Sequence, residues 1–290
     1  MAAYSMYDLG CPMWANDKWK GSLFRDDCRS SEFLAQYARY FNSVEGNTTF
    51  YADPSPDTVA RWSVQVPADF GFMLKVPKRL SHDLIDDWPA QLQQWLCLLL
   101  PLKPQIRCIH LQLPARVGPA ALGELAAMLE HIRNHYPCVV EVRHPDFFDK
   151  GPAEQALHQL LRSLSCERLC FDSRALFSVQ PTTAALRDAQ AKKPRLPVHV
   201  VALTERPVVR FIGLDDLTAN QAFYAPWLGK VATWVQQGLR PALYFHTPDN
   251  RLAPQLARQF ATDLLAQHQI SHPCLAAWPC ELQPQQSSLF

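Results

Sequence analysis

Charged and amide side chains recur in this chain at the ends of short apolar runs, where such groups are costly unless they have a partner or a task. Reading only those ends collects Trp14 after the first run and Glu45 and Asn47 after the second. Lys75 closes the third, and His110 and Gln112 close the fourth. Glu141, Arg143 and His144 end the fifth, Asp172 and Arg174 the sixth, Arg210 lies in the seventh and His246 ends the eighth. Glu141 with Arg143, and His110 with Gln112, are two apart and share one face of an extended strand. The chemistry these types permit is definite. Glu141 and Glu45 form a candidate carboxylate pair for general acid and base work. Lys75 is a candidate Schiff-base nucleophile if its neighbours depress its pKa, and otherwise an anion-binding cation. Together with His144 and Asp172 these are the catalytic candidates. Arg143 and Arg210 suit a carboxylate or a phosphate, and Asn47, Gln112, Trp14 and His246 complete a candidate substrate-binding set.

The same residues permit other readings. Glu45, Glu141, Asp172, His144 and His246 are types that a divalent metal takes, but no local spacing groups them, so the sequence names no ligands and leaves the cofactor open. A structural charge network, with Glu141 paired to Arg210 or Lys75, would use them equally well. His131 and His135 lie four apart on a helical pattern but lack the glutamate of a zinc-protease motif, and they read as a solvated face. No G-x-G-x-x-G, Walker loop or G-x-S-x-G occurs, which argues against dinucleotides, P-loop nucleotides and a hydrolase elbow.

The runs that must position these residues span 7–13, 41–46, 70–76, 107–113, 138–143, 168–173, 208–212 and 242–246. They are apolar on nearly every residue, as parallel strands covered on both faces are. Helical patterns lie between them at 31–40, 55–66, 88–100, 119–135, 152–163, 182–191, 222–237 and 253–268. The second of these opens on Ser55-Pro56-Asp57, a capping residue, a first-turn proline and an acidic first turn. Strand then helix, eight times over, predicts a single (β/α)8 barrel occupying 1–278, its active site at the carboxyl ends of the strands. An open doubly wound sheet shares the alternation, but the count of eight and the absence of a glycine-rich phosphate loop favour closure. The connection 175–206 is long enough to be a functional loop, with a helix and then a short extra strand near 197–203. Residues 279–290 read as an extended tail.

Composition sets the outer limits. The chain has 290 residues, 48% of them apolar and 19% charged, which suits one large core. A net charge of +1 does not favour nucleic acid as a partner, and the basic run Lys192-Lys193-Pro194-Arg195 reads as a solvated loop face. Nine scattered cysteines without a C-x-x-C pair fit free thiols in a reducing cytosol. The sequence shows neither a signal peptide nor an apolar stretch of membrane-spanning length, so a cytoplasmic protein with no membrane partner is expected.

Several segments together resemble one known family. Glu45-Gly46-Asn47-Thr48-Thr49-Phe50-Tyr51 looks like its signature after strand two, and Leu74-Lys75-Val76-Pro77 with Ser81-His82 like its strand-three motif. Leu111-Gln112-Leu113-Pro114, Val140-Glu141-Val142-Arg143-His144-Pro145 and Asp172-Ser173-Arg174 follow in order. The chain is identified by these as similar to the YecE-like family, a domain family of unknown function. The resemblance runs from about residue 10 to 265. It implies a TIM-barrel fold and supplies no established reaction. The family commonly carries R-L-H-G at strand seven and an asparagine pair at strand eight. Here those positions read Arg210-Phe211-Ile212-Gly213 and Phe245-His246-Thr247, so no role of a strand-seven histidine carries over. Three functions stay open at this level: an enzyme acting on a small anionic or polyhydroxylated molecule, an endonuclease-like nucleic-acid-processing barrel, and a non-catalytic ligand- or partner-binding protein.

Overall fold

The computed structural model describes residues 5–82 and 87–282. Its strands are β1 (Asp8–Gly10), β2 (Ser43–Gly46), β3 (Gly71–Lys75), β4 (Ile106–Gln112), β5 (Cys138–Glu141), β6 (Glu167–Arg168), β7 (Cys170–Asp172), β8 (Val208–Ile212) and β9 (Ala242–His246). All pair in parallel. They form a four-stranded sheet in the order β1-β9-β8-β7 and a five-stranded sheet in the order β2-β3-β4-β5-β6. The fold is α/β, with a helical connection after every strand except β6, which runs directly into β7, as parallel pairing requires.

The eight expected runs all become strand: the last two keep their bounds, the fourth and sixth shift one residue towards the amino terminus, the others are trimmed by one to three residues at an end, and the sixth is split at Leu169 into β6 and β7. The helices match closely where the sequence carries caps and periodicity. Pro56–Gln65 starts where predicted, with Ser55 Oγ accepting from Thr58 N at 3.2 Å. Pro152–Ser163 and Ala253–His268 have the expected bounds.

Two seams join the sheets. Leu169 lies between β6 and β7 in one continuous run, and its N–H reaches Val140 O at 2.8 Å. At the other seam Glu45 N donates to Cys11 O at 3.0 Å. The buried Tyr37 hydroxyl fills the gap beneath it, accepting from Cys11 N at 2.8 Å and donating to Ser43 O at 2.9 Å. Gly10 permits this close approach, because a Cβ there would stand 2.1 Å from Ser43 O. The two sheets also touch through side chains, as in the pair Ser43 Oγ and Tyr244 Oη at 2.7 Å.

Two expectations about the connections are corrected. The segment 197–203 forms no strand. Its polar backbone is satisfied instead by side chains, with Leu203 N and Thr204 N donating to the buried Glu167 carboxylate and Val201 N to Cys170 Sγ. Pro279–Leu282, expected as extended tail, is a helical turn, and the remaining tail 283–290 lies outside the described residues. All nine cysteines are free thiols, and no helix among the described residues is long and apolar enough to cross a membrane.

Candidate functional site

Strand register decides which side chains meet. Lys75 stands opposite His110, Gln112 opposite Glu141, Phe171 opposite Arg210, and Ile212 opposite His246. Side chains alternate along each strand, so Glu45, Lys75, His110, Gln112, Glu141, Phe171, Arg210 and His246 share one side and converge near the carboxyl ends.

Arg210 is the hub. Its Nε donates to Glu45 Oε2 at 2.9 Å and its Nη1 to Glu141 Oε2, tying β8 of one sheet to β2 and β5 of the other. Glu141 Oε1 accepts from Arg143 Nε at 2.8 Å and from Arg143 Nη2. His246 Nε2 lies 2.9 Å from Glu45 Oε2, and His110 Nε2 lies 3.2 Å from Glu141 Oε2. Lys75 Nζ donates to Gln112 Oε1 at 3.1 Å, lies 3.7 Å from Glu45 Oε1 and sits 5.1 Å from the Phe50 ring centroid. Behind Gln112, its Nε2 is 3.4 Å from His82 Nε2, and His82 Nδ1 is 2.9 Å from Ser81 Oγ. Glu45 is fully buried, yet its Oε1 has no hydrogen-bond partner among the described residues.

These environments set the protonation states. Burial alone would raise the Glu45 carboxyl, but Arg210 and then His246 hold it well below its ordinary value. Burial acts the same way on Glu141, and Arg143 and Arg210 hold it well below. Both glutamates are therefore ionised at neutral pH, and neither is poised to donate a proton. Burial, with smaller contributions from surrounding charges, pushes His110 down to about 4 and His246 to about 3, so both imidazoles are neutral. Lys75 is different. Burial first and the charge of Arg210 second bring it down to about 7, against the opposing pull of Glu45 and Glu141. Among the strand residues of this cluster it is the one that changes charge near neutrality.

The structure brings together seven of the residues singled out from sequence: Glu45, Lys75, His110, Gln112, Glu141, Arg210 and His246, with Arg143 at their edge. Four others are placed elsewhere. Asp172 lies on the opposite face of β7. Trp227 Nε1 donates to its Oδ2 at 2.8 Å, and Arg174 grips both its oxygens, so it secures the helix Gln221–Gln236 against the sheet. His144 caps a one-turn helix through Nδ1, 3.3 Å from Asp146 N, and its ring lies over Gly118. Trp14 packs edge-on against Trp62 and Phe72, with ring centroids 5.1 and 6.0 Å away. Asn47 donates to Pro12 O at 2.9 Å and ties together the loops after β1 and β2. Among the described residues no group of three or more His, Cys, Asp or Glu side chains is arranged to hold a metal ion.

Lys193 was missed. The basic run reads in the sequence as a solvated face, yet Lys193 is half-buried, and burial, then Arg210, push its ammonium down to about 8 while Glu45 and Glu141 oppose the shift. The run follows the helix Ala184–Lys192, and Ser173 Oγ donates to Pro194 O at 3.0 Å, which ties the long connection back to the end of β7. Nothing local in the sequence distinguishes Lys193 from Lys192, which pairs with Asp188 in solvent. His110 stands among the strand-end residues of the sequence without an assigned role, and His82 stands there only within the strand-three motif.

Comparison with known proteins identifies the family and bears on the fold. The family model described as "Protein of unknown function DUF72" matches residues 8–279. The chain is 41% identical to the UPF0759 protein YecE of Escherichia coli strain K12 over 286 residues, covering 98% of this chain and all of that protein. The corresponding protein of Escherichia coli O157:H7 is equally similar. Among solved structures, a DUF72 family protein from Enterococcus faecalis V583 superposes with a TM-score of 0.64 at 17% identity, over 90% of this chain and 98% of that one. One from Thermotoga maritima MSB8 gives 0.62 at 20% identity, over 89% and 99%. At these identities the two structures speak for the fold alone.

Proposed function

This chain belongs to the DUF72 family, whose relatives are uncharacterised and whose function is not established, and from that premise we propose that it is an enzyme with Lys75 as its proton-transferring group. The substrate is a small anionic or polyhydroxylated molecule held at the carboxyl ends of the strands. The reading takes the two sheets as one (β/α)8 barrel filling 1–278 and working in the cytoplasm. Three things support the barrel: the cyclic order β1-β9-β8-β7 with β6-β5-β4-β3-β2, the Leu169 seam and the Glu45–Cys11 hydrogen bond. Active sites of such barrels lie at the carboxyl ends of the strands.

The observation that carries the reading is the pairing of Lys75 Nζ with Glu45 Oε1, 3.7 Å apart and both buried, the oxygen with no hydrogen-bond partner among the described residues. A lysine near neutrality is a competent base or carbonyl nucleophile. Glu45 and Glu141 then serve as fixed anions, not as the acid and base pair that the sequence suggests. They retain charge because Arg210 bridges them. With both histidines neutral, Arg210, Arg143, Lys75 and Lys193 outnumber the two carboxylates, which suits an anionic substrate with Arg143 and Lys193 receiving its charged group. Proton abstraction beside a carbonyl or imine formation with it, in a lyase or isomerase, uses these groups most economically.

Carbamylation by cyanate, followed residue by residue by mass spectrometry between pH 5.5 and 10, tests this. Lys75 is expected to react with a midpoint near 7 and in preference to surface lysines at pH 7. A Lys75 that reacts only near pH 10, or never, would remove the proposal.

A further inference from the structure

A cavity of about 370 Å³ lies at the opposite, amino-terminal end of the strands. It is bounded by the starts of β1, β4, β5, β6, β8 and β9 and by the loop before β8. Five arginines line it, Arg107, Arg133, Arg162, Arg206 and Arg240, against three carboxylates. Those carboxylates are largely committed. Asp8 accepts from Arg240 Nη2 at 2.7 Å and faces Arg107 Nε at 3.5 Å. Glu167 is saturated by the backbone N–H groups of Leu203 and Thr204 and by the Thr204 hydroxyl, and Glu205 is exposed.

The arginines are under-used by comparison. Arg133 spends its Nε on Leu164 O, and Arg107 reaches Asp69 O. Neither Arg162 nor Arg206 makes an ion pair among the described residues. The Nε atoms of both Arg107 and Arg240 are buried without a hydrogen-bond partner there. Like guanidinium charges gathered round a concave wall repel one another unless an anion joins them. The volume falls within the ordinary range of small-molecule sites.

We propose that this cavity is a binding site for a phosphate-bearing small molecule, separate from the Lys75 cluster. Two linked phosphate groups match the arrangement better than one. The guanidinium fork takes phosphate oxygens two at a time, and the arginines come from several walls of the cavity. It stands independently of the proposed reaction, because no residue is shared between the two ends.

Inorganic pyrophosphate is the probe, titrated calorimetrically at low salt against full-length protein, with sodium sulfate at equal ionic strength as control. Arg162 and Arg206 are exposed and outside the core, so an Arg162→Gln, Arg206→Gln double variant should fold as the parent does. The expected result is saturable binding of pyrophosphate, weakened by about tenfold or more in the double variant and unchanged in Lys75→Met. Three outcomes overturn the proposal: no binding by the parent, equal binding of sulfate, or binding lost in Lys75→Met but retained in the double variant.

Discussion

Replacing Arg210 with methionine tests the central network most severely. The guanidinium bridges two carboxylates that are 0% and 1% exposed, so its loss leaves charge where water cannot reach. Glu141 would keep Arg143, but Glu45 would keep the neutral His246 at 2.9 Å and Lys75 at 3.7 Å, itself near half charge at neutral pH. Breaking a buried pair by deleting one partner costs about 3–5 kcal/mol. The pH dependence fixes the sign. In the parent both carboxyls sit well below their ordinary value. The stability they confer is therefore present above the unfolded carboxyl value of about 4.3 and is lost as pH falls through the lower folded value. In Arg210→Met the desolvated Glu45 carboxyl moves upward instead, so the deficit should be greatest near pH 8 and shrink towards pH 5 as it takes a proton. Guanidinium unfolding at constant buffer composition, followed by tryptophan fluorescence, measures this. Adding Glu45→Gln to Arg210→Met should recover about 1–3 kcal/mol. A variant within about 1 kcal/mol of the parent at pH 8, or a deficit that is flat between pH 8 and 5, would refute the assigned charge states.

Other outcomes follow from the same geometry. Lys75 has a folded value below its unfolded one, so the native state pays for its charge at low pH and recovers as pH rises from about 7 towards 10.5. Lys75→Met should accordingly raise the thermal midpoint at pH 6 more than at pH 9.5, which differential scanning fluorimetry reads directly; the opposite order contradicts the assignment. Tyr37→Phe deprives Cys11 N and Ser43 O of their shared partner and should cost about 2–4 kcal/mol in chemical denaturation. Gly10→Ala should be worse, because the added methyl meets backbone and not a movable side chain. Asp172→Asn should lower stability by about 1–3 kcal/mol through its bonds to Trp227 and Arg174, with the cyanate midpoint of Lys75 unmoved. A shift in that midpoint would return Asp172 to the site.

Sequence alone determined the alternation of strands and helices. Apolar runs bounded by proline, glycine and aspartate, and caps such as Ser55-Pro56, are local signals. The physics that reads them, backbone sterics and hydrogen bonding within a turn or strand, is local too. It also determined that Glu141 and Gln112 stand at strand ends, where a charge or amide needs a reason. It did not determine which side of a strand is which. A strand apolar on both faces carries no alternation to mark the inner one, and so Asp172 was grouped with Glu141 although Phe171 holds the inner position beside Arg210. His144 and Trp14 were collected by proximity to strand ends, but the turns that follow direct one to a cap and the other to an aromatic stack. Only the tertiary structure brings Lys193 within electrostatic reach of Arg210, 17 residues away in the chain, and sets Arg210 between carboxylates 165 and 69 residues distant. Charge states depend on burial and on neighbours from other strands. The depression of Lys75 to about 7 is thus a property of the assembled cluster, with nothing in its own segment to announce it.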